Sequence, residues 1–252
     1  MDEFKHLFPR DTASTEKYTY AGPRGGGEFK LPPRDDLVEH GSKLVTEIKS
    51  AVKSAEDDEA RKPNQEKPKG VCLDFQSDPG FKLQLESLES RRSGIELRNS
   101  RTDENGVMHG TVFVPEGRVG IFVRKIERYA NEDDPRSGKP KNKVLVESIQ
   151  AVRLASLRSF WTDAGDFPDT NEPIWWEIWL RRATNPHEAA EIFRQRAQAA
   201  GVQVGRRTLR FPERFVAVAC ATVPQLLAIE NLFDILAEVR LAKVVPSDFL
   251  QL

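Results

Sequence analysis

Cysteine, with methionine, is the rarest residue in this sequence. Cys72 and Cys220 are the two it has, too few for a disulfide framework and without metal-ligand spacing. Both fall in strand-like runs, where a buried reduced thiol is the expected state. Histidine is nearly as rare. His6, His40, His109 and His187 are the four present, none in an HExxH arrangement or beside a partner at ligand spacing, so no metal and no cofactor is expected. Charge of one sign is also missing: 31% of the residues are charged, yet they balance to a net of −1. No overall field therefore points to nucleic acid or to a membrane surface. No stretch approaches the roughly 20 apolar residues of a membrane span. Met1-Asp2-Glu3-Phe4-Lys5 lacks the basic start and apolar run of a signal peptide, and a cytoplasmic location is expected.

What is present, in 252 residues, is enough for one large domain or two small ones. Residues 1–34 carry Pro9, Pro23, Pro32, Pro33 and Gly25-Gly26-Gly27 with little apolar surface, and read as an extended arm. The triple glycine has no Lys-Ser/Thr pair and no preceding strand, so it is a linker and not a phosphate loop. Residues 35–61 read as a helix, with Leu37, Leu44, Ile48 and Val52 near the 3.6-residue period and Asp35 and Asp36 at its start. The stripe is narrow, which places this helix on a neighbour's surface. Residues 62–70 are a polar linker with Pro63 and Pro68.

Residues 71–157 read as a first βαββαβ unit. Val71, Leu73 and Phe75 alternate with polar neighbours as a half-buried strand should. Phe81, Leu85 and Leu88 predict a short helix, and Asn105-Gly106 between two strand-like runs predicts a hairpin. Val119, Phe122, Val123, Ile126 and Tyr129 share a helix face, and residues 131–143 form a charged loop. Residues 144–157 suit either strand or helix by pattern. The repeat described next selects strand.

Residues 173–245 read as a second, clearer βαββαβ unit. Its strands are 175–182, 202–211, 214–220 and 236–242, and its helices are 186–200 and 223–231. Val239-Arg240-Leu241-Ala242 repeats Val152-Arg153-Leu154-Ala155, and a Val-Pro pair precedes the second helix at Val114-Pro115 and at Val223-Pro224. The fold class expected is α+β: two ferredoxin-like (βαββαβ) repeats with antiparallel sheets, preceded by an arm and a helix. Residues 158–172 link the units, and Phe160, Trp161 and Phe167 are placed to wedge between them. Residues 246–252 form a C-terminal tail.

Two strings bear on chemistry. His109-Gly110-Thr111 spells the histidine motif of subtilisin-like proteases, but no Asp-Thr-Gly or Gly-Thr-Ser accompanies it, and it falls on a hairpin strand. No catalytic residue is assigned. In Trp175-Trp176-Glu177-Ile178-Trp179-Leu180, the even positions suit a core beneath the helices. Trp175, Glu177, Trp179 and Arg181 then point to the opposite sheet face, which a two-layer unit leaves open. Large aromatics there mark an interface, unless the first unit or the linker covers them. Single-stranded RNA stacks on such sheets, but the neighbouring strand Phe215–Cys220 is small and apolar, so nucleic acid is not expected.

The second unit resembles the propeptide (inhibitor I9-like) domain of subtilisin-like proteases, through the strand Phe215–Cys220, the helix 223–231, the last strand 236–242 and the tail. The whole chain is similar to the N-terminal, non-catalytic region of large intracellular bacterial peptidases of the S8 family. Phe4-Lys5-His6-Leu7-Phe8, Leu31-Pro32-Pro33-Arg34-Asp35, Gly94-Ile95-Glu96-Leu97, Phe113-Val114-Pro115-Glu116-Gly117, Lys139-Pro140-Lys141-Asn142-Lys143 and Pro173-Ile174-Trp175-Trp176-Glu177 carry that likeness. The resemblance implies a folding assistant and inhibitor whose partner is a subtilisin-like catalytic domain, in cis or in trans. Its docking face would hold Trp175, Glu177, Trp179 and Arg181 with Phe215 and Ala217. Its tail, with Pro246, Phe249, Leu250, Gln251 and Leu252, would lie in the active-site cleft. The alternative is a stand-alone adaptor or scaffold whose open sheet binds another protein, such as an ATPase.

Overall fold

The computed structural model describes residues 29–61, 66–168, 170–181 and 186–242. Residues 1–28 of the expected arm 1–34, and the tail 246–252, lie outside them. Two four-stranded antiparallel sheets organise the chain, with strand orders β2-β3-β1-β4 and β6-β7-β5-β8. The first sheet is made by β1 (Gly70–Gln76), β2 (Glu96–Thr102), β3 (Met108–Pro115) and β4 (Ala151–Leu154). The second is made by β5 (Ile174–Arg181), β6 (Gln203–Arg210), β7 (Arg214–Ala221) and β8 (Leu236–Leu241). Each order is that of a ferredoxin-like unit, with the first and third strands of the unit in the middle. The α+β reading with two ferredoxin-like repeats therefore holds. The repeated phrase also falls where the repeat requires, because β4 and β8 are the fourth strands and pair antiparallel with β1 and β5.

The first unit departs from the expected pattern in how its sheet is covered. The run carrying Phe81, Leu85 and Leu88 makes only 3-10 turns, at Leu85–Leu88 and Arg91–Ser93. Long helix α1 (Leu37–Ala60) packs against the same sheet. Asp36 caps it by accepting the Glu39 N–H at 2.8 Å, which satisfies one of the donors a helix start leaves open. Leu44 and Ile48 are fully buried, in one cluster with Phe75, Val112, Phe122 and Ile126. α1 is thus part of the first unit's core, where the sequence placed it on a neighbour's surface. α1 comes up to α2 (Gly120–Asn131) at Gly41, where a Cβ would sit in ordinary contact, 3.4 Å from both Ala130 and Ile126. The helix also covers the edge of the sheet. Glu47 accepts the Val152 N–H of β4 at 2.8 Å, and Lys43 donates to the Gln150 carbonyl at 2.7 Å. Arg34, ahead of the helix, donates to Asp78 at 2.6 Å and to the Glu147 carbonyl at 2.8 Å.

Smaller corrections have local causes. Residues 144–157 divide: α3 (Lys143–Glu147) is helical and only Ala151–Leu154 is strand, so the pattern was ambiguous because both are present. The predicted helix 223–231 is α5 (Val223–Leu227), followed by a separate turn α6 (Leu232–Ile235). Asn231 breaks them apart with a positive φ of 49°, a conformation asparagine tolerates better than most residues. The two Val-Pro pairs are not equivalent, since Pro115 ends β3 whereas Val223-Pro224 opens α5. The hairpin at Asn105-Gly106 formed as expected, with Gly106 at φ 74°.

The two units share a core. The second unit buries Trp176, Ile178 and Leu180 against Phe193 and Ala197 of α4 (Pro186–Ala199) and against Leu226 of α5. The same apolar cluster continues into Cys72 and Phe113 of the first unit, through Phe160 and Trp161 of the linker. Phe160 is fully buried and stacks on Phe233 at 5.1 Å, and Trp161 meets Trp176 edge-on at 6.3 Å. Polar bonds cross the same junction. Thr111 donates to the Ser159 carbonyl at 2.8 Å, Asn99 to the Ala237 carbonyl at 2.8 Å and Arg98 to the Asp234 carbonyl at 2.8 Å. Arg98 is 3% exposed, lies over the Phe113 ring at 4.6 Å and approaches Glu96 at 3.3 Å. Burial lowers its pKa from the ordinary guanidinium value. The linker aromatics therefore wedge between the units as expected, and among the described residues the first sheet has no open face.

Candidate functional site

The second sheet does have one. Antiparallel partners point to the same side, and the register pairs Trp175 with Cys220, Glu177 with Val218 and Trp179 with Val216. These residues, with Arg181, face away from α4 and α5. The partners of the core residues are Ala219, Ala217 and Phe215, opposite Trp176, Ile178 and Leu180. Phe215 and Ala217 are accordingly 2% and 1% exposed in the shared core. Their expected place on the docking face is overturned; Val216, Val218 and Cys220 point to that side instead, with Val216 and Val218 themselves only 4% and 7% exposed and Cys220 half-buried.

The face is a braced aromatic surface. Trp179 and Phe211 stack with ring centroids 5.5 Å apart at 13°, and the Arg240 guanidinium of β8 lies 4.6 Å from the Trp179 ring. That geometry is a favourable cation–π contact. The indole N–H of Trp179 donates to Glu177 at 3.2 Å. Arg240 is oriented in turn by Glu238 and by the Thr162 hydroxyl at 3.1 Å. Arg181, at the edge of the face, pairs with Glu96 of the first unit, so the junction fixes one corner. Trp175 and Trp179 are half-buried, while Leu209 and Phe211 are 50% and 45% exposed. Sequence reasoning missed Phe211, Leu209 and Arg240. The strand positions of Leu209 and Phe211, at the end of β6 two strands from β5, and of Arg240 on β8 beside β5 were legible, but their side of the sheet was not. Cys220 on this face is held as a thiol, because burial raises its pKa.

His109 lies on β3, as expected of a hairpin strand, and it is buried between two carboxylates. Its Nδ1 is 3.1 Å from Asp74 Oδ2 and its Nε2 is 3.3 Å from Asp103 Oδ2. Asp103 also accepts the N–H groups of Asn105 and Val107 in the hairpin turn. Hydrogen bonds from Val107 and from His109 hold its carboxyl below the usual range, against the opposing effect of burial. An aspartate–histidine pair thus exists. A triad, however, needs the second ring nitrogen free to take a proton from a nucleophile, and here Asp103 occupies it. The arrangement braces the hairpin. Among the described residues no group of three or more His, Cys, Asp or Glu side chains is arranged to hold a metal ion, and no helix is long and apolar enough to cross a membrane. The side chain of His187 and the tail residues Pro246, Phe249, Leu250, Gln251 and Leu252 lie outside the described residues.

Residues 38–156 match the family model of the Y4kK N-terminal domain. The match begins in α1 and ends just past β4, so the region of sequence similarity and the first packed unit share their limits. No curated protein matches the chain.

Proposed function

We propose that this chain is the non-catalytic pro-region of a subtilisin-like serine protease of the S8 family. It acts as a folding assistant and inhibitor that packs the open face of its second sheet on the catalytic domain. One observation supports the reading above the others. A ferredoxin-like unit has one sheet face closed by helices, and its other face presents the half-buried Trp175 and Trp179 with the exposed Phe211 and Leu209, beside Val216 and Val218, which are themselves only 4% and 7% exposed. Rigid aromatics with a flanking arginine are what protein interfaces use as anchors. Residues after Ala242 would follow β8 into the active-site cleft in an extended form, a recognised mode of peptide capture. Nothing in this reading asks the chain itself to cut a bond.

The test adds the whole chain in trans to the catalytic domain encoded with it. Micromolar or tighter inhibition and faster recovery of activity on refolding are expected, both lost in Trp179→Ala and kept in an Ala variant of the exposed residue Glu213. Absence of both effects from the unmodified chain sinks the proposal. The adaptor reading, with a partner such as an ATPase, draws on a different observation. The second unit shares its core with a first unit that has a family model of its own, so the two dock as one body. Recovery of an ATPase and no protease, through the same Trp179 face, would favour it.

A further inference from the structure

Between the two units, on the helical side of the second sheet, runs an open groove of about 900 Å³. It lies away from the Trp175–Trp179 face and is therefore a separate surface. Val71 and Cys72 of β1, Leu154 and Leu157 beside the end of β4, and Leu232 and Phe233 of α6 give it an apolar floor. Leu227 of α5 lines it with 47% of its surface exposed. Concave apolar sites at the junction of two units are favoured binding positions.

The rim of the groove is acidic. Asp58, Glu59, Glu66 and Asp234 line it against Arg61 and Arg158, four carboxylates to two guanidinium groups. α1 ends there in Glu56-Asp57-Asp58-Glu59, with no basic residue in its last turn. The C-terminus of a helix carries the negative end of its dipole, so each acid there is disfavoured. Arg61 reaches Asp58 at 3.2 Å and Lys67 reaches Glu59 at 3.6 Å, but solvent-facing pairs of this kind contribute little. Asp234, deeper in, accepts the Lys69 N–H at 2.9 Å, and burial raises its pKa. Glu66 is held by Arg196 at 2.6 Å, so Asp58 and Glu59 are the acids set where this chain's own fold gains least from them, beside an apolar floor whose accessible part is Val71, Leu154, Phe233 and Leu227. A cationic occupant would reverse both penalties.

We propose that the groove seats a basic amphipathic helix of a partner protein. Apolar side chains at i, i+4 and i+7 would lie on the floor beside Leu227, and lysine or arginine would face Asp58, Glu59 and Asp234. Helix-in-groove docking reads out this spacing, and the charge of the rim selects a basic helix over an acidic one.

Two labelled synthetic helices with the same leucine spacing test the idea on the whole chain, one with lysine and one with glutamate on its polar face. Binding is read by fluorescence anisotropy at low and high salt. The lysine helix should bind, more weakly at high salt, and the glutamate helix should not. Leu227→Ser, and separately Asp58→Lys with Glu59→Lys, should each weaken the lysine helix by about tenfold, the scale of losing one interface anchor. Circular dichroism shows whether each variant is folded, and Leu227→Ser alone suffices if the charge variant is not. Equal binding of both helices, binding unchanged in a folded variant, or no binding to the unmodified chain would overturn the proposal. So would displacement of a small apolar dye from the groove by neither helix.

Discussion

If the two units share one core, replacing Phe160 with alanine should damage both. The ring is fully buried and stacks on Phe233 of α6 at 5.1 Å and 23°, within a cluster that runs from Phe113 of the first sheet to Trp176 of the second. Truncating a phenylalanine at such a site costs about 3–5 kcal/mol, of which the ring pair accounts for about 0.5–1.5 kcal/mol. In a chain of this length each kcal/mol moves Tm by about 2–4 °C, so Phe160→Ala should lower Tm by about 6–20 °C. Phe160→Leu keeps most of the apolar volume and should cost less than about 1.5 kcal/mol. All four tryptophans, Trp161, Trp175, Trp176 and Trp179, lie in the linker or the second unit. Fluorescence therefore follows that half, while far-ultraviolet circular dichroism follows the whole chain. Urea unfolding of the unmodified protein should give coincident curves by both probes, and Phe160→Ala should shift both. Separated curves in the unmodified protein, or a loss under about 1 kcal/mol in Phe160→Ala, would refute the shared core.

The first unit supplies two more tests. His40 of α1 is buried with Nε2 3.2 Å from the Val146 carbonyl; burial, with Arg34 and Lys43 adding to it, lowers its pKa from 6.5. The unfolded chain then binds the proton more readily. Its contribution to stability is complete above about pH 6.5 and is lost as pH falls from there through the lower folded value. Thermal unfolding measured between about pH 7.5 and 5.5 should therefore decline more steeply for the unmodified chain than for His40→Gln, and equal slopes would contradict the assignment. Tyr129 donates its hydroxyl to Glu147, a 5%-exposed carboxylate, at 3.1 Å. Tyr129→Phe should cost about 1–3 kcal/mol by leaving that acceptor short of a donor, and Tyr129→Phe with Glu147→Met should recover most of it. An unchanged urea midpoint in the single variant would show that Lys143, 3.8 Å away, already serves the carboxylate.

Much of this architecture was legible because the second unit follows local rules without conflict. Alternation in Trp175–Arg181 and the proline at Pro212 between β6 and β7 agree with the fold. The first unit was harder to read because one of its covering elements comes from outside the βαββαβ order. The crossover after β1 is too short of helical structure to close its sheet, and α1, some ten residues upstream of β1, completes the cover. No local pattern in Leu44 or Ile48 announces which sheet they will meet. The same limit hid His109. Its string suggested nothing beyond itself, while its partners Asp74 and Asp103 stand 35 and 6 residues away, and only strand pairing brings them together.

The docking face shows where such reading must stop. On β7 both alternating sets are apolar: Phe215, Ala217 and Ala219 on one side, Val216, Val218 and Cys220 on the other. In a strand with one polar face, a slip of one residue would expose the apolar set, so the pattern itself selects the side. Here either set could be buried without a polar group being lost, and composition is silent. The choice passes to β5, where Trp176, Ile178 and Leu180 go under the helices and carry their cross-strand partners Ala219, Ala217 and Phe215 with them. The small alanines then have a reason. Opposite Trp176 and Ile178, beneath α4 and α5, a larger side chain would overfill a core that already holds Trp176 and Phe193 at no more than 1% exposure. The valines on the other side have no helix above them, yet Val216 and Val218 are only 4% and 7% exposed, so the half-buried Trp175 and Trp179 and the exposed Leu209 and Phe211 carry the accessible apolar surface of that face.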